Sequence, residues 1–260
     1  MVALPRARWL APVALCGAVT AGCATGSPML VPTRVLPAAR VELSAGTLYT
    51  APVVSEALDG ARASTSTPED QVRAAVAYGV SPPGVAPYVS ARGGLGHDSE
   101  GSLALIGPVV RVGARRVLLR DEDFRLVGGV NARLAFVSGA HQSIASSLSI
   151  DESRLWGGEL TLQAGIARRN IYDLWVGLRG GYLYSDSRVS HPAVSASAFD
   201  LGAHRVETGL SVGVRVGFGR VAVAVELEAQ LAWTTGSGGG YSGSALGFAL
   251  VPAGAVSYGF

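Results

Sequence analysis

Few residues in this chain could do covalent chemistry. The four histidines, His97, His141, His191 and His204, are far apart, and the two cysteines are Cys16 and Cys23. Zinc and copper sites draw on clustered imidazoles and thiolates, so no metal site is expected. All 21 basic residues are arginine, which removes Schiff-base lysines and the lysine of a phosphate-binding loop. The Gly- and Ser-rich run 236–243 has no strand, helix and lysine in the order such a loop needs and reads as a flexible connection. Two polar sets remain to be weighed for hydrolysis: His97 with Ser99, and Asp186 and Asp200 with His204.

The run His97, Asp98, Ser99, Glu100 resembles the His-x-Ser spacing of outer-membrane lipid A deacylases and phospholipases, which implies a serine activated by a histidine. Glu100 stands where those families usually carry asparagine. Asp186, Asp200 and His204 are similar in kind to the acid–histidine sites of outer-membrane proteases, but no spacing selects them from the polar residues around them. Both sets fall in predicted loops, where such residues are ordinarily solvated. The expectation is no catalytic residue, no cofactor and no enzymatic activity.

Charge excludes a further class. Charged residues are 15% of the chain, the net charge is +2 and the arginines are scattered, so there is no basic stripe to hold nucleic acid. Hydrophobic residues make up 48%, yet beyond the N-terminus no apolar run approaches the ~20 residues of a spanning helix. The apolar residues recur instead at every second position. Over 205–217, Val206, Leu210, Val212, Val214 and Val216 share one face while Arg205, Glu207, Ser211 and Arg215 share the other. Over 221–233, valines, leucines and Trp233 stand opposite Glu226, Glu228 and Gln230. That period is a strand's.

Similar alternation predicts strands over 126–136, 156–166 and 174–184, with weaker candidates at 41–49, 72–80, 85–95 and 106–118 and a last one at 246–260. The strong runs reach the ~9–11 residues that a tilted strand needs to cross hydrocarbon. Connections alternate in length: long at 234–245, short at 218–220, long at 185–204, short at 167–173, long at 138–154 and short at 119–123. Short turns on one side and long loops on the other are the habit of membrane barrels. The predicted fold is therefore all-β, a transmembrane antiparallel up-and-down barrel of about ten strands (8–12). A lipid-tethered soluble β-sandwich is the alternative fold.

The ends supply an address. Arg6 and Arg8 precede an apolar stretch and small residues, an export signal over 1–22. Thr20, Ala21, Gly22, Cys23 resembles a bacterial lipobox, which implies lipidation of Cys23; ordinary cleavage after Ala21 fits as well. The stretch 23–39, with Pro28, Pro32 and Pro37, reads as a periplasmic tether, and 40–260 as the barrel. Phe260 and Tyr258 resemble the terminal aromatic signal of outer-membrane barrels, which implies recognition by the barrel-assembly machinery. The expected location is the outer membrane of a Gram-negative bacterium, in contact with its lipid, with the N-terminus periplasmic.

If the apolar faces meet lipid, the lumen receives Arg73, Arg92, Arg111, Arg115, Arg133, Arg179, Arg205 and Arg215 against Glu42, Glu159, Glu207, Glu226 and Glu228. A ring of about ten strands is narrow, so these groups are expected to meet as an ionic plug. The function expected from that is structural, in assembly, or in binding an envelope partner through loops 138–154 and 185–204. A narrow, anion-favouring pore is the alternative.

Overall fold

The structure is a computed structural model, and it describes residues 28–54, 67, 70, 72, 73, 76, 84–145, 148–168, 171–190 and 198–260. The export signal and Cys23 lie outside the described residues.

Ten strands form one ring: β1 (Val41–Val54), β2 (Gly84–Gly96), β3 (Ser99–Ile106), β4 (Val109–Asp121), β5 (Phe124–Ala145), β6 (Leu148–Arg168), β7 (Tyr172–Ser190), β8 (Phe199–Phe218), β9 (Val221–Gly238) and β10 (Tyr241–Gly259). Each pairs antiparallel with its sequence neighbours, and β1 closes on β10 from Glu42 opposite Gly259 to Val54 opposite Phe248. One closed sheet replaces the two packed sheets of the sandwich alternative, because no strand is left with an open edge. We call the end where β1 begins and β10 finishes the lower end. Its turns are tight, as at Gly219, whose φ of 66° is the left-handed backbone that glycine adopts readily.

Alternation sorts the side chains. On β8 and β9, Arg205, Glu207, Ser211, Glu226 and Glu228 are buried, while Val206, Leu210, Val212, Val223, Val225 and Leu227 are exposed on the outside. Aromatic rings bound this apolar exterior. Trp156, Tyr182, Tyr184 and Trp233 lie along its upper margin, with the Trp156 and Tyr184 centroids 5.6 Å apart. Phe124, Phe218, Tyr258 and Phe260 lie along the lower one, where Tyr258 and Phe260 meet edge-on at 4.9 Å. About a dozen residues of strand separate the margins, which at about 3.3 Å per residue and a tilt near 40° is roughly 30 Å, a hydrocarbon thickness. Above the upper margin the outward positions become Glu152, Arg154, Asp186, Arg188 and Asp200.

Several stretches differ from the sequence reading. Strand β3 was expected only as a connection, since Gly101 and Ser102 on so short a strand hide its alternation. The run 72–80, read as a strand, is helical at its described positions Val72, Arg73 and Val76. The missed signal is a capping box: Thr67 N and Oγ1 donate to Asp70 Oδ2 at 3.0 and 2.8 Å, and Asp70 N donates back to Thr67 Oγ1 at 3.2 Å. Arg73 thus belongs to this helical segment and not to a lumen-facing strand. The expected loops 138–154, 185–204 and 234–245 are largely strand, because β5 to β10 continue above the membrane band. The β3–β4 turn at Gly107 sits near the upper margin, so one wall is low and the opposite wall is tall.

A cation at mid-depth on the outer face tests the orientation. Val212 is 58% exposed and midway between the two aromatic margins. Val212→Arg is expected to cost about 2–4 kcal/mol of folding free energy in lipid vesicles, against about 0–1 for His204→Arg at the upper margin. Equal costs at the two depths, read from denaturant titrations, would reject the membrane band.

Candidate functional site

The inward faces converge on two layers of charge. In the upper layer Arg133 of β5, Glu159 of β6, Arg179 of β7, Arg205 and Glu207 of β8 and Glu228 of β9 interlock. Glu207 Oε1 sits 2.5 Å from both Arg133 Nη1 and Arg179 Nη1, and Arg205 Nε lies 3.0 Å from Glu207 Oε2. Glu159 Oε2 is 3.3 Å from Arg179 and 3.5 Å from Arg133, and Arg179 also forks onto Glu228. Gln230 Nε2 also donates to Glu207 Oε2 at 2.9 Å, and Asn131 Nδ2 donates to Glu159 Oε1 at 3.0 Å. Arg133 and Arg179 are 1% and 2% exposed, so this is a desolvated network in which each charge depends on its partners.

The lower layer belongs to β1 through β4. Glu42 holds Arg92 at 2.6 Å, Arg92 holds Glu100 at 3.1 Å, and Glu100 holds Arg115 at 2.6 Å. Arg215 reaches across from β8 to Glu42 at 2.7 Å. Arg111 lies 3.7 Å from Glu159 and so links the layers.

Residues 28–36, read from sequence as part of a periplasmic tether, run inside the barrel. The segment forms no strand there, and wall side chains satisfy its backbone one group at a time. Met29 N and Leu30 N donate to the Glu226 carboxylate at 2.6 and 2.8 Å, Arg34 N to Asp173 at 3.0 Å and Leu36 N to Glu100 at 2.8 Å. In return, Pro28 O accepts from Arg111 at 3.0 Å, Val31 O from Gln163 at 2.9 Å and Pro32 O from Arg115 at 2.5 Å. Thr33 Oγ1 adds a bond to Asp173 at 2.9 Å. The prolines suit the role, since a residue without an N–H leaves one less donor to satisfy away from water. Below the segment, Ala39 N donates to Gly94 O and Gly94 N to Arg40 O, tying it to β2.

Wall glycines make room for these occupants. A Cβ at Gly213 would lie 2.1 Å from the Trp175 ring, one at Gly177 2.4 Å from Met29 Cε, and one at Gly209 2.2 Å from Glu228. Above the charged layers the lumen turns apolar: Leu48, Tyr88, Ile106, Leu183 and Leu201 pack with Val72 and Val76 of the helical segment.

The expected lumen residues Arg111, Arg133, Arg179, Arg205, Arg215, Glu159, Glu207, Glu226 and Glu228 all face inward, and all but Arg215 are fully buried. Glu226 departs from the expected ion pairing, since its carboxylate is taken by backbone N–H groups and by Trp175 Nε1 at 3.1 Å. Glu100 and Asp173 were missed because both stand at strand ends that read as connections. With them the lumen supplies one carboxylate for each arginine of the wall network, which removes the slight basic excess. Ser99 Oγ donates to the His97 carbonyl at 3.2 Å, not to its imidazole, and Asp98 pairs with Arg120 at 2.7 Å. His204 points outward, with its Nδ1 2.5 Å from the Tyr182 hydroxyl. Asp186 and Asp200 stand on the same outer face, opposite Gly202 and Arg188.

No family model matches the sequence, and no curated protein does. Among solved structures the chain is similar to the outer membrane protease OmpT from Escherichia coli, at 10% identity and a TM-score of 0.43, over 85% of this chain and 96% of that one. It is similar to Ail, the attachment invasion locus protein of Yersinia pestis, at 9% identity and a TM-score of 0.33, over 86% and 99%. Neisserial surface protein A is a third, at 12% identity and a TM-score of 0.29, over 84% and 96%.

Removing the central cation exposes the network's interdependence. Arg179→Met leaves Glu159, Glu207 and Glu228 facing one another without it, and the expected loss is about 3–5 kcal/mol in vesicle unfolding titrations. Adding Glu228→Gln, whose arginine partner is Arg179, should restore part of that loss. A cost for Arg179→Met below about 1 kcal/mol would mean that the charges are hydrated and not mutually dependent.

Proposed function

We propose that the chain is a sealed outer-membrane barrel of a Gram-negative envelope, acting as a structural or surface-interaction protein and not as a conduit. The observation that carries this reading is the filled lumen: residues 28–36 occupy its lower half, and the paired charges and apolar side chains close it above. Outer-membrane barrels place their short turns in the periplasm, and here every connection at the end of Val41 and Phe260 is short, whereas the long connections 55–83 and 191–198 leave the other end. On that reading the lower end is periplasmic. Tyr258 and Phe260, outward at that end, are available to the barrel-assembly machinery.

The upper wall is then the part that faces the outside of the cell. β5 to β8 carry it beyond the membrane, and its outer surface bears Glu152, Arg154, Asp186, Arg188 and Asp200. Charges of both signs on a rigid sheet suit an envelope or extracellular protein partner.

Planar-bilayer recording of the refolded protein, with a heat-modifiability gel to confirm a folded barrel, tests the sealed reading. A folded barrel without steady openings is expected. Steady anion-selective openings that diminish in Arg133→Gln or Arg215→Gln would replace it with the pore reading.

A further inference from the structure

The lower mouth of the lumen opens into two cavities of about 300 and 250 Å³ that share Arg34 and Arg215. The larger is lined by Arg34, Arg40, Arg92, Arg215 and Arg220, with Glu42 as its one carboxylate side chain. Glu42 is already committed, with one oxygen on Arg92 at 2.6 Å and the other on Arg215 at 2.7 Å. Arg40 reaches the carbonyl oxygen of Phe260 at 3.4 Å, at the chain's carboxyl end. Among the described residues no carboxylate comes within ion-pair distance of the Arg34 or Arg220 guanidinium. The smaller cavity balances Arg34, Arg125 and Arg215 against Glu122, Asp123 and Asp173, so the cation excess lies in the larger one, around Arg34, Arg40 and Arg220.

Two further observations point the same way. Arg215 Nε is buried without a hydrogen-bond partner. Burial, and then the nearness of Arg125 and Arg215, holds the Arg34 guanidinium below the usual arginine range, against the pull of Asp173 and Glu42. An anion in this space would relieve like-charge crowding and meet guanidinium forks that match phosphate or carboxylate oxygens. The volume is at the small end of ligand pockets, enough for a diphosphate-sized group.

We propose that the periplasmic mouth is a binding site for a multiply charged oxyanion, of phosphate or carboxylate type, held between Arg34 of the inserted segment and Arg215 and Arg220 of the wall. Such a ligand staples the segment to the barrel. This inference rests on the sealed reading, because without the inserted segment Arg34 is not there.

Calorimetric titration of the full-length protein in phosphatidylcholine vesicles with inorganic pyrophosphate tests it. One site per barrel is expected, weakened about tenfold by Arg34→Gln and likewise by Arg220→Gln, each of which removes one charge-assisted contact. Arg120→Gln, at an exposed ion pair of the same end, should leave the affinity unchanged. The source of the natural ligand follows from a second probe, bis(glycerophospho)glycerol, the doubly charged soluble headgroup of a bisphosphate phospholipid: tighter binding than pyrophosphate assigns the site to lipid, and weaker binding assigns it to a soluble polyanion. Absence of saturable heat, or equal weakening by all three variants, overturns the site. Recording conductance on the same sample keeps the two readings apart, since a silent barrel that binds no anion rejects only the site, whereas a conducting barrel rejects the seal.

Discussion

Hydrocarbon offers backbone N–H and C=O groups no partner, so a chain that crosses it by strands has to pair every strand on both sides. The β1–β10 seam is where that requirement is met, over the span from Glu42 to Val54. Closure with only ten strands then dictates the rest. The outer face must be apolar throughout the membrane band, and whatever is not apolar is driven into a narrow bore. The buried Arg and Glu side chains are a consequence of that geometry, and so is their pairing, because an isolated charge in such a space would be prohibitively costly.

The way the pairing is arranged is specific to this chain. Six of the charged side chains come from five consecutive strands, β5 to β9, and lock the tall wall together from inside. A second set binds β1 to β4, and Arg215 and Arg111 join the two. Two wall carboxylates, Glu226 and Asp173, serve the backbone of residues 29–36 instead, and Glu100, ion-paired through one oxygen, gives its second oxygen to the same purpose. An irregular segment with prolines could not satisfy its own N–H groups. The wall does it, and the segment's carbonyls in turn give Arg111, Arg115 and Gln163 their acceptors.

Much of this was legible in the chain, for a physical reason. In β8 and β9 the two faces meet hydrocarbon and a buried ionic layer, so the contrast between Val212 and Glu207, or between Leu227 and Glu228, is as sharp as residue types allow. Legibility fails where that contrast weakens. Ser99–Ile106 is short, and Glu100 looks like a loop residue until its partners on β2 and β4 are known. Val72 and Val76 fit a strand's alternation and a helix's turn equally well, and only the Thr67–Asp70 box separates the two. The inserted segment was invisible in a stronger sense. Its lack of periodicity was read correctly, but its partners lie as far as 197 positions away along the chain, and nothing local says on which side of the wall an irregular stretch will lie.

The segment that fills the lower bore continues directly into β1 through Arg40 and Val41, and β1 is one lip of the seam that closes last in sequence order. The two cannot be delivered separately. Whatever brings β1 to β10 also carries the filler inward, so the barrel is wrapped around a mandrel that it supplies itself. The Glu226 and Asp173 carboxylates, otherwise stranded as the wall curls, find their donors on the segment that leads into the strand completing the ring.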